Sequence, residues 1–473
     1  MKINFRLKFL APIVLLGVTA LMVACNKSEE EVVVSAPLFK VGQAVSTKTP
    51  LSGSIKGTLL SDSTYKVGGD VFINEGDTLV IQPGAKIHFP GTAPYCFIVK
   101  GSLLSLGTQE KPIYFTVPTV VKTDVYGADP TTDPAYKGYW GGIYGETTFK
   151  SIIIKWTHLE LGGGKLGTSP VSFMANGATS YVVSTKNPDG VLVLEDSWLY
   201  GCIDDPFRPF GCRFNVMRNT FEKGGFTGGE SMNIKSGNVG IFAYNLIVGS
   251  ATNGPKASNN GGVNPQTNVQ MYNNTIVASG YRRSAAGRGG STNFEEGSKG
   301  VYYNNLMVNC KFGPRVVGAT ANYNGNALVV ADTANIKGGY NYNYVDSLKI
   351  ANEIYPTGFA TKPDPNDIPT PSSFLPAGYK PGQVYDGSAA VGKNNPMFVN
   401  FPLPQTTKKM GDVSFVGTFN FRLQATSPAI GKGFTGFTIL NVVPVSANFG
   451  ATVLTPPNKD IGAYPTDGTG NKH

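Results

Sequence analysis

The sequence predicts an all-β chain wound as a parallel β-helix, a single elongated solenoid. Three observations predict it. A strand–corner–strand unit recurs along the chain. Its early coils alternate apolar and polar residues between glycine turns. Gly (59) and Pro (32) punctuate the whole length, and no stretch shows helical periodicity.

The N-terminal segment stands apart from the fold. Lys2, Arg6 and Lys8 precede the apolar run 9–24, 16 residues long. A spanning helix needs about 20. The run ends LMVAC, with small Ala24 before Cys25, and it resembles a bacterial lipobox. That resemblance implies a signal peptide over 1–24 and lipid attachment at Cys25. Residues 25–49 then form an acidic, polar tether. Its start, NKSEEEVVV, resembles acidic export signals that send Gram-negative lipoproteins to the outer face of the outer membrane. The expected location is the outer membrane, at the cell surface, with the periplasmic face as the alternative. The mature chain has 473 − 24 = 449 residues, and its formal charge falls from +9 to +6 as three basic residues leave. The remaining Lys and Arg are scattered, with no basic arm, so a nucleic-acid partner is not expected. The expected state is a monomer.

The first coils lie in YKVGGDVFINEGDTLVIQPGAKIHFPG, residues 65–91, turning at Gly69, Gly76 and Gly84. A second line, FIVKGSLLSLGTQEKPIYFTV, occupies 97–117. Downstream, a polar corner recurs at Thr157, Asp196, Asn219, Asn245, Asn274 and Asn305, with Asn343 as an extension. Three residues before each corner, and two after it, sits an apolar or aromatic residue. Successive corners are 39, 23, 26, 29, 31 and 38 residues apart. A period of about 20–50 residues marks a solenoid or propeller, and the shorter intervals cannot hold a four-stranded blade. Each coil cannot bury its apolar face alone, so coils stack about 4.8 Å apart around a shared core. The corner must bend sharply, and Asn and Asp tolerate the left-handed conformation this requires. Stacked Asn side chains can also bond along the ladder.

The phrases GDTLVIQPGAKIHF and GSLLSLGTQEKPIYFT resemble the opening coils of pectin-lyase-like right-handed β-helix proteins. The resemblance spans 50–465, the expected β-helix domain. It includes SPAIGKG (427–433) and DIGAY (460–464), which look like a closing coil. Two insertions interrupt the domain, at 281–300 and 356–382. The second carries seven prolines over 356–381 and reads as an irregular excursion, either a plain surface loop or one wall of a groove draped across the coils.

Cys96, Cys202, Cys212 and Cys310 remain after the lipid anchor. Four cysteines allow three pairings, and the spacing of Cys202 and Cys212 suits a disulfide closing their loop. With no Cys-x-x-Cys and only three histidines, a Cys/His zinc site is not expected.

Chemistry has two candidate locations. The insertion YRRSAAGRGGSTNFEEGSKG carries Arg282, Arg283, Arg288, Glu295, Glu296 and Lys299. Its guanidinium groups suit bidentate contacts to glycan carboxylates or sulfates, or they pair locally with its own acids. CIDDPFRPFGCRF offers Asp204 and Asp205 as candidate Ca²⁺ ligands, or as turn caps pairing with Arg208 or Arg213. His158 reads as a strand residue. Trp140 and the YNYNYV segment read as sugar-stacking rings or as packing. The Gly-His-Gly and Arg-Ile-Lys of polygalacturonase-like hydrolases are absent, as are the main pectate lyase patterns.

Three functions remain. The first is a surface lipoprotein that binds extracellular polysaccharide. The second is a polysaccharide lyase or glycoside hydrolase of the pectin-lyase-like fold. The third is an adhesin or structural surface protein.

Overall fold

In a computed structural model, residues 40–122, 130–280, 282–283, 290–311, 313–318, 321–323, 326–346, 395–404, 419–444 and 454–473 are described. Cys25, Arg288 and the 356–382 insertion lie outside them. The chain is a parallel β-helix. Its first face is a ten-stranded parallel sheet. The strands climb from Gly57–Leu59 through Ser151–Lys155, Cys212–Met217 and Asn238–Ala243 to Ile336–Gly339. The second face follows the corner and stacks Thr157–Glu160, Trp198–Tyr200, Thr220–Glu222, Leu246–Val248, Thr275–Val277, Leu306–Val308 and Tyr342–Tyr344. The third face holds Phe97–Val99, Ile143–Gly145 and Val183–Thr185, then Met232–Ile234, Pro255–Ala257, Asn293–Phe294 and Arg315–Val316. The strand Thr64–Ile73 turns a corner. Its start pairs with Lys86–His88 and its end with Phe97–Val99, which joins the second and third faces.

Inward columns form one core. On the second face Phe115, Leu159, Leu199, Phe221, Ile247, Ile276 and Met307 stack, all buried. On the first face Phe214 pairs with Gly240, and a Cβ on that glycine would lie 2.6 Å from Cγ of the Phe214 ring. The inward Phe214 ring therefore leaves room only for a glycine at this partner position.

The first corner divides its work between two residues. The left-handed residue comes first: Trp156, Asp196, Arg218, Tyr244, Asn273, Asn304 and Tyr340 all have φ between 46° and 60°. The ladder residue follows it: Thr157, Ser197, Asn219, Asn245, Asn274, Asn305 and Asn341. Asn219, Asn245, Asn274 and Asn305 thus stand in one column, through side-chain bonds of 2.9–3.1 Å between successive residues. In each step, the next coil's Oδ1 also accepts the backbone N–H of the coil before.

Two expected corner positions are corrected. Asp196 is the bend residue, and Ser197 occupies its rung. Asn343 pairs with inward-facing Met307, so the rung there is Asn341. Nor is the Asn itself left-handed. Its amide is there to satisfy buried backbone groups, and the residue before it bears the strain.

The stretches expected as a closing coil lie outside the tube instead. Ile461 N–H donates to Ala429 O at 3.1 Å, Gly462 N–H to Asn304 O at 3.0 Å and Ala463 N–H to Thr275 Oγ1 at 2.9 Å. Residues 434–443 cover the outward side of the first face. There Phe437, Ile439 and Leu440 meet Ile241, Tyr244 and Tyr272, while Val443 meets Ile153 and Val193. Outward apolar positions on these strands made this cover necessary, since parallel strands buried on both sides read as continuous apolar runs.

All four described cysteines are unpaired and buried. The Cys202–Cys212 disulfide is therefore not present. Cys202 sits at the corner after the second face, where its thiol donates to Asp204 O at 2.8 Å. Cys212 opens a first-face strand beside Asn238. The extended third-face segment around Phe207 separates them. Burial pushes the Cys212 and Cys310 thiols up to about 12. Among the described residues, no helix is long and apolar enough to cross a membrane.

Candidate functional site

The third face carries an outward column that is polar but buried. Register places Asn233, Lys256, Asn293 and Arg315 on successive strands. Arg208 lies one coil earlier, since Asn233 N–H bonds to Phe207 O at 2.9 Å. Four carboxylates interleave with these groups. Asp205 accepts from Arg208 at 2.9 Å, from Asn233 Nδ2 at 2.8 Å and from Glu230 N–H at 2.7 Å. Lys256 Nζ lies 2.9 Å from Glu230 and 3.4 Å from Glu295. Glu295 also accepts from Asn293 Nδ2 at 2.8 Å, and Arg315 Nε donates to Asn293 Oδ1 at 3.0 Å. The fourth carboxylate, Asp204, is half-buried, 4.0 Å from Arg208.

Burial sets the protonation of this network. It pushes Asp205 well above the usual carboxylate range, and Asp204 and Glu230 reinforce the shift. Burial would also raise Glu230, but the Lys256 ammonium and the bond from Asp205 hold it well below. Lys235 is half-buried next to this column, and burial together with Lys256 and Arg208 lowers its ammonium to about 8.

An aromatic patch borders the network. The Arg208 guanidinium lies 4.9 Å from the Tyr181 ring and 5.5 Å from Phe210. Lys186 lies 5.5 Å from Phe173, and Phe173 meets Phe210 edge-on at 5.9 Å. Phe173, Phe210, Arg208 and Asp204 are partly open to solvent.

The structure brings Asp204, Asp205, Arg283 and Glu295 to this third-face region. Gly228 lies between Arg283 and Asp204: a Cβ there would be 3.6 Å from one and 3.7 Å from the other. Arg282 is occupied otherwise. It donates to the carbonyls of Gly224, Gly225 and Phe226 and lies 4.7 Å from the Tyr136 ring, so it fastens the 224–226 loop. Glu296 accepts from Ser258 and Asn260, tying down the neighbouring loop. Lys299 opens a first-face strand, away from the column. A Ca²⁺ site at Asp204 and Asp205 does not fit these residues. Both Asp205 oxygens are engaged, one by the Glu230 N–H and the other by Arg208 and Asn233. The described residues hold no group of three or more acids, histidines or cysteines able to ligate a metal.

Sequence reasoning missed Glu230, Asn233, Lys235, Lys256, Asn293 and Arg315. Their shared column follows from register, but their spacing from the corner Asn varies from coil to coil, so no fixed motif announces them.

A second polar patch lies outward on the second face. Tyr114, His158 and Trp198 stack at 4.4 and 4.7 Å, and His473 covers Trp198 at 3.8 Å. Beside them Glu160 bonds Lys122 at 2.6 Å and Thr116 at 2.7 Å. Burial opposes ionisation of Glu160, but His158, Lys122 and Thr116 outweigh it and bring the group down to about 2. Trp140 is core: it is fully buried and stacks on Phe89 at 4.4 Å.

No protein-family model matches this chain, and no curated protein or solved structure matches it either.

Proposed function

We propose that this chain is a lipid-anchored surface protein of the pectin-lyase-like β-helix type that binds extracellular polysaccharide. The lipobox-like LMVAC and acidic tether support anchoring at Cys25 in the outer membrane, facing outward. One observation carries the binding reading: the partly open rings of Phe173 and Phe210, backed by buried Tyr181, with Arg208 and Lys186 over them. Aromatic faces take up sugar rings, and guanidinium and ammonium groups hold their charged or hydroxyl substituents. The rigid column beneath fixes Arg208 through Asp205. The buried carboxyls support binding over hydrolysis, because Asp205, Glu230 and Glu295 are engaged with protein partners rather than aimed at a groove.

The lyase reading keeps one supporting observation, the half-buried Lys235 whose ammonium is lowered to about 8, where it can act as a base. A glycan panel tests both, using the full chain with Arg208→Ala and Phe210→Ala. Retention by the wild type, with at least tenfold weaker retention by both variants and no unsaturated product, supports binding. Unsaturated product lost in Lys235→Met supports the lyase. Silence on every glycan refutes both. Metabolic labelling with a fatty acid, lost in Cys25→Ala, tests the anchor.

A further inference from the structure

We propose that the third face is an autocatalytic cross-linking site, in which Lys256 and Asn293 join through a side-chain amide with Glu295 as proton shuttle. The two residues are direct register partners on adjacent strands, Pro255–Ala257 and Asn293–Phe294. Glu295 touches both: one oxygen is 3.4 Å from Lys256 Nζ, and the other accepts from Asn293 Nδ2 at 2.8 Å. Arg315 Nε donates to Asn293 Oδ1 at 3.0 Å, so the carbonyl to be attacked is already polarised. Lys256, Asn293, Glu295 and Arg315 are only 5, 0, 4 and 4 % exposed.

Each requirement of amide exchange is met by a named group. The amine must lose a proton to become a nucleophile, and Glu295 is placed to take it. The carbonyl must carry negative charge in the tetrahedral intermediate, and the Arg315 guanidinium faces that oxygen. The amide nitrogen must leave protonated, and Glu295 is already bonded to it. Fixed neighbours in a water-poor site raise the effective concentration of amine at carbonyl. In balance, the bond from Lys256 Nζ to Asn293 Cγ forms and the Cγ–Nδ2 bond breaks. Two protons of the Lys256 ammonium pass by way of Glu295 to Nδ2, which departs as ammonium. No oxidant, reductant or metal enters. Glu230, 2.9 Å from Lys256, holds the amine in place before the step. The product would bolt together two successive coils across the intervening 257–292 segment.

The test is peptide mapping of the purified full chain by tandem mass spectrometry, without reduction. The expected result is one branched tryptic species containing Lys256 and Asn293, lighter by about 17 Da than the sum of its linear parts. Cleavage after Lys256 is lost. In Glu295→Gln the branched species disappears and both linear peptides return. If that variant fails to fold, wild-type chain recovered as inclusion bodies that have never folded is dissolved, refolded and sampled over time instead: linear peptides must convert to the branched one while ammonium appears. Recovery of Lys256 and Asn293 only in linear peptides overturns the proposal. So does a branched species formed undiminished in folded Glu295→Gln.

Discussion

Replacing Asn245 by Ala removes the middle rung of the corner ladder. The Asn245 side chain makes four hydrogen bonds in a fully buried position. Its Oδ1 accepts from Asn219 N–H and Nδ2, both at 3.0 Å, while its Nδ2 donates to Val216 O at 3.0 Å and Asn274 Oδ1 at 3.1 Å. Asn219 Nδ2 keeps Leu194 O, and Asn274 Oδ1 keeps the Asn245 backbone N–H. The Asn219 backbone N–H loses its acceptor outright. An orphaned buried donor costs about 1–3 kcal/mol and each of the three other lost bonds about 1 kcal/mol, so the expected loss is about 4–6 kcal/mol. Because a solenoid is held by nearest-neighbour contacts, the damage concentrates in the adjoining coils. Urea unfolding gives the total, and hydrogen exchange at the Asn219 amide locates it. Asn341→Ala removes only three such bonds, at the last rung, and should lose less. A loss below about 1 kcal/mol for Asn245→Ala, within the range of an ordinary surface substitution, with Asn219 exchange unchanged, would refute the reasoning.

Further outcomes follow from the same contacts. Gly240→Ala puts a methyl 2.2 Å from Phe214 O. It should cost at least about 1–3 kcal/mol, measured by urea unfolding. Glu160 titrates at about 2 when folded, below the roughly 4.3 of an unfolded glutamate. Its stabilisation is therefore fully present above the unfolded value and fades as pH falls toward the folded one. Glu160→Gln should flatten that acid limb of the stability profile. Lys235 behaves oppositely to a paired lysine. Its folded value of about 8 lies below the unfolded one near 10.4, so the unfolded chain binds more protons between them. Stability should rise with pH across that window, and Lys235→Met should abolish the rise. Alkylation without reduction should label Cys96, Cys202, Cys212 and Cys310 only after unfolding, and recovery of a Cys202–Cys212 linked peptide would contradict the fold described.

The β-helix and five rungs of its ladder, Thr157 among them, were legible because burial and backbone satisfaction repeat at every coil. Asn219, Asn245, Asn274 and Asn305 recur for one physical reason, and apolar neighbours flank each of them. The register slipped by one at Asp196, because Ser197 does the ladder's work with a hydroxyl that a search for Asn overlooks. It slipped by two at Asn343, where the last coil repeats Asn at alternate positions. Asp204 and Asp205 stood out as adjacent acids. Their setting did not, because Glu230, Lys256 and Glu295 come from separate coils joined by loops of unequal length. The outer cover formed by 427–444 and 454–473 was hidden for a related reason. Its sequence matches the outward valines and tyrosines of the first face only after those strands have been stacked.

The stacking register is the claim on which the rest stands, and paired cysteines measure it directly. Arg213 and Val239 are register partners on adjacent first-face strands. Adjacent-strand partners fall within the roughly 4.4–6.8 Å Cα separation that a disulfide accepts. Arg213→Cys with Val239→Cys should oxidise readily in the folded chain, and Arg213→Cys with Ile241→Cys, displaced by two residues, should not. Bridging of the displaced pair in preference to the matched one would contradict the solenoid as described.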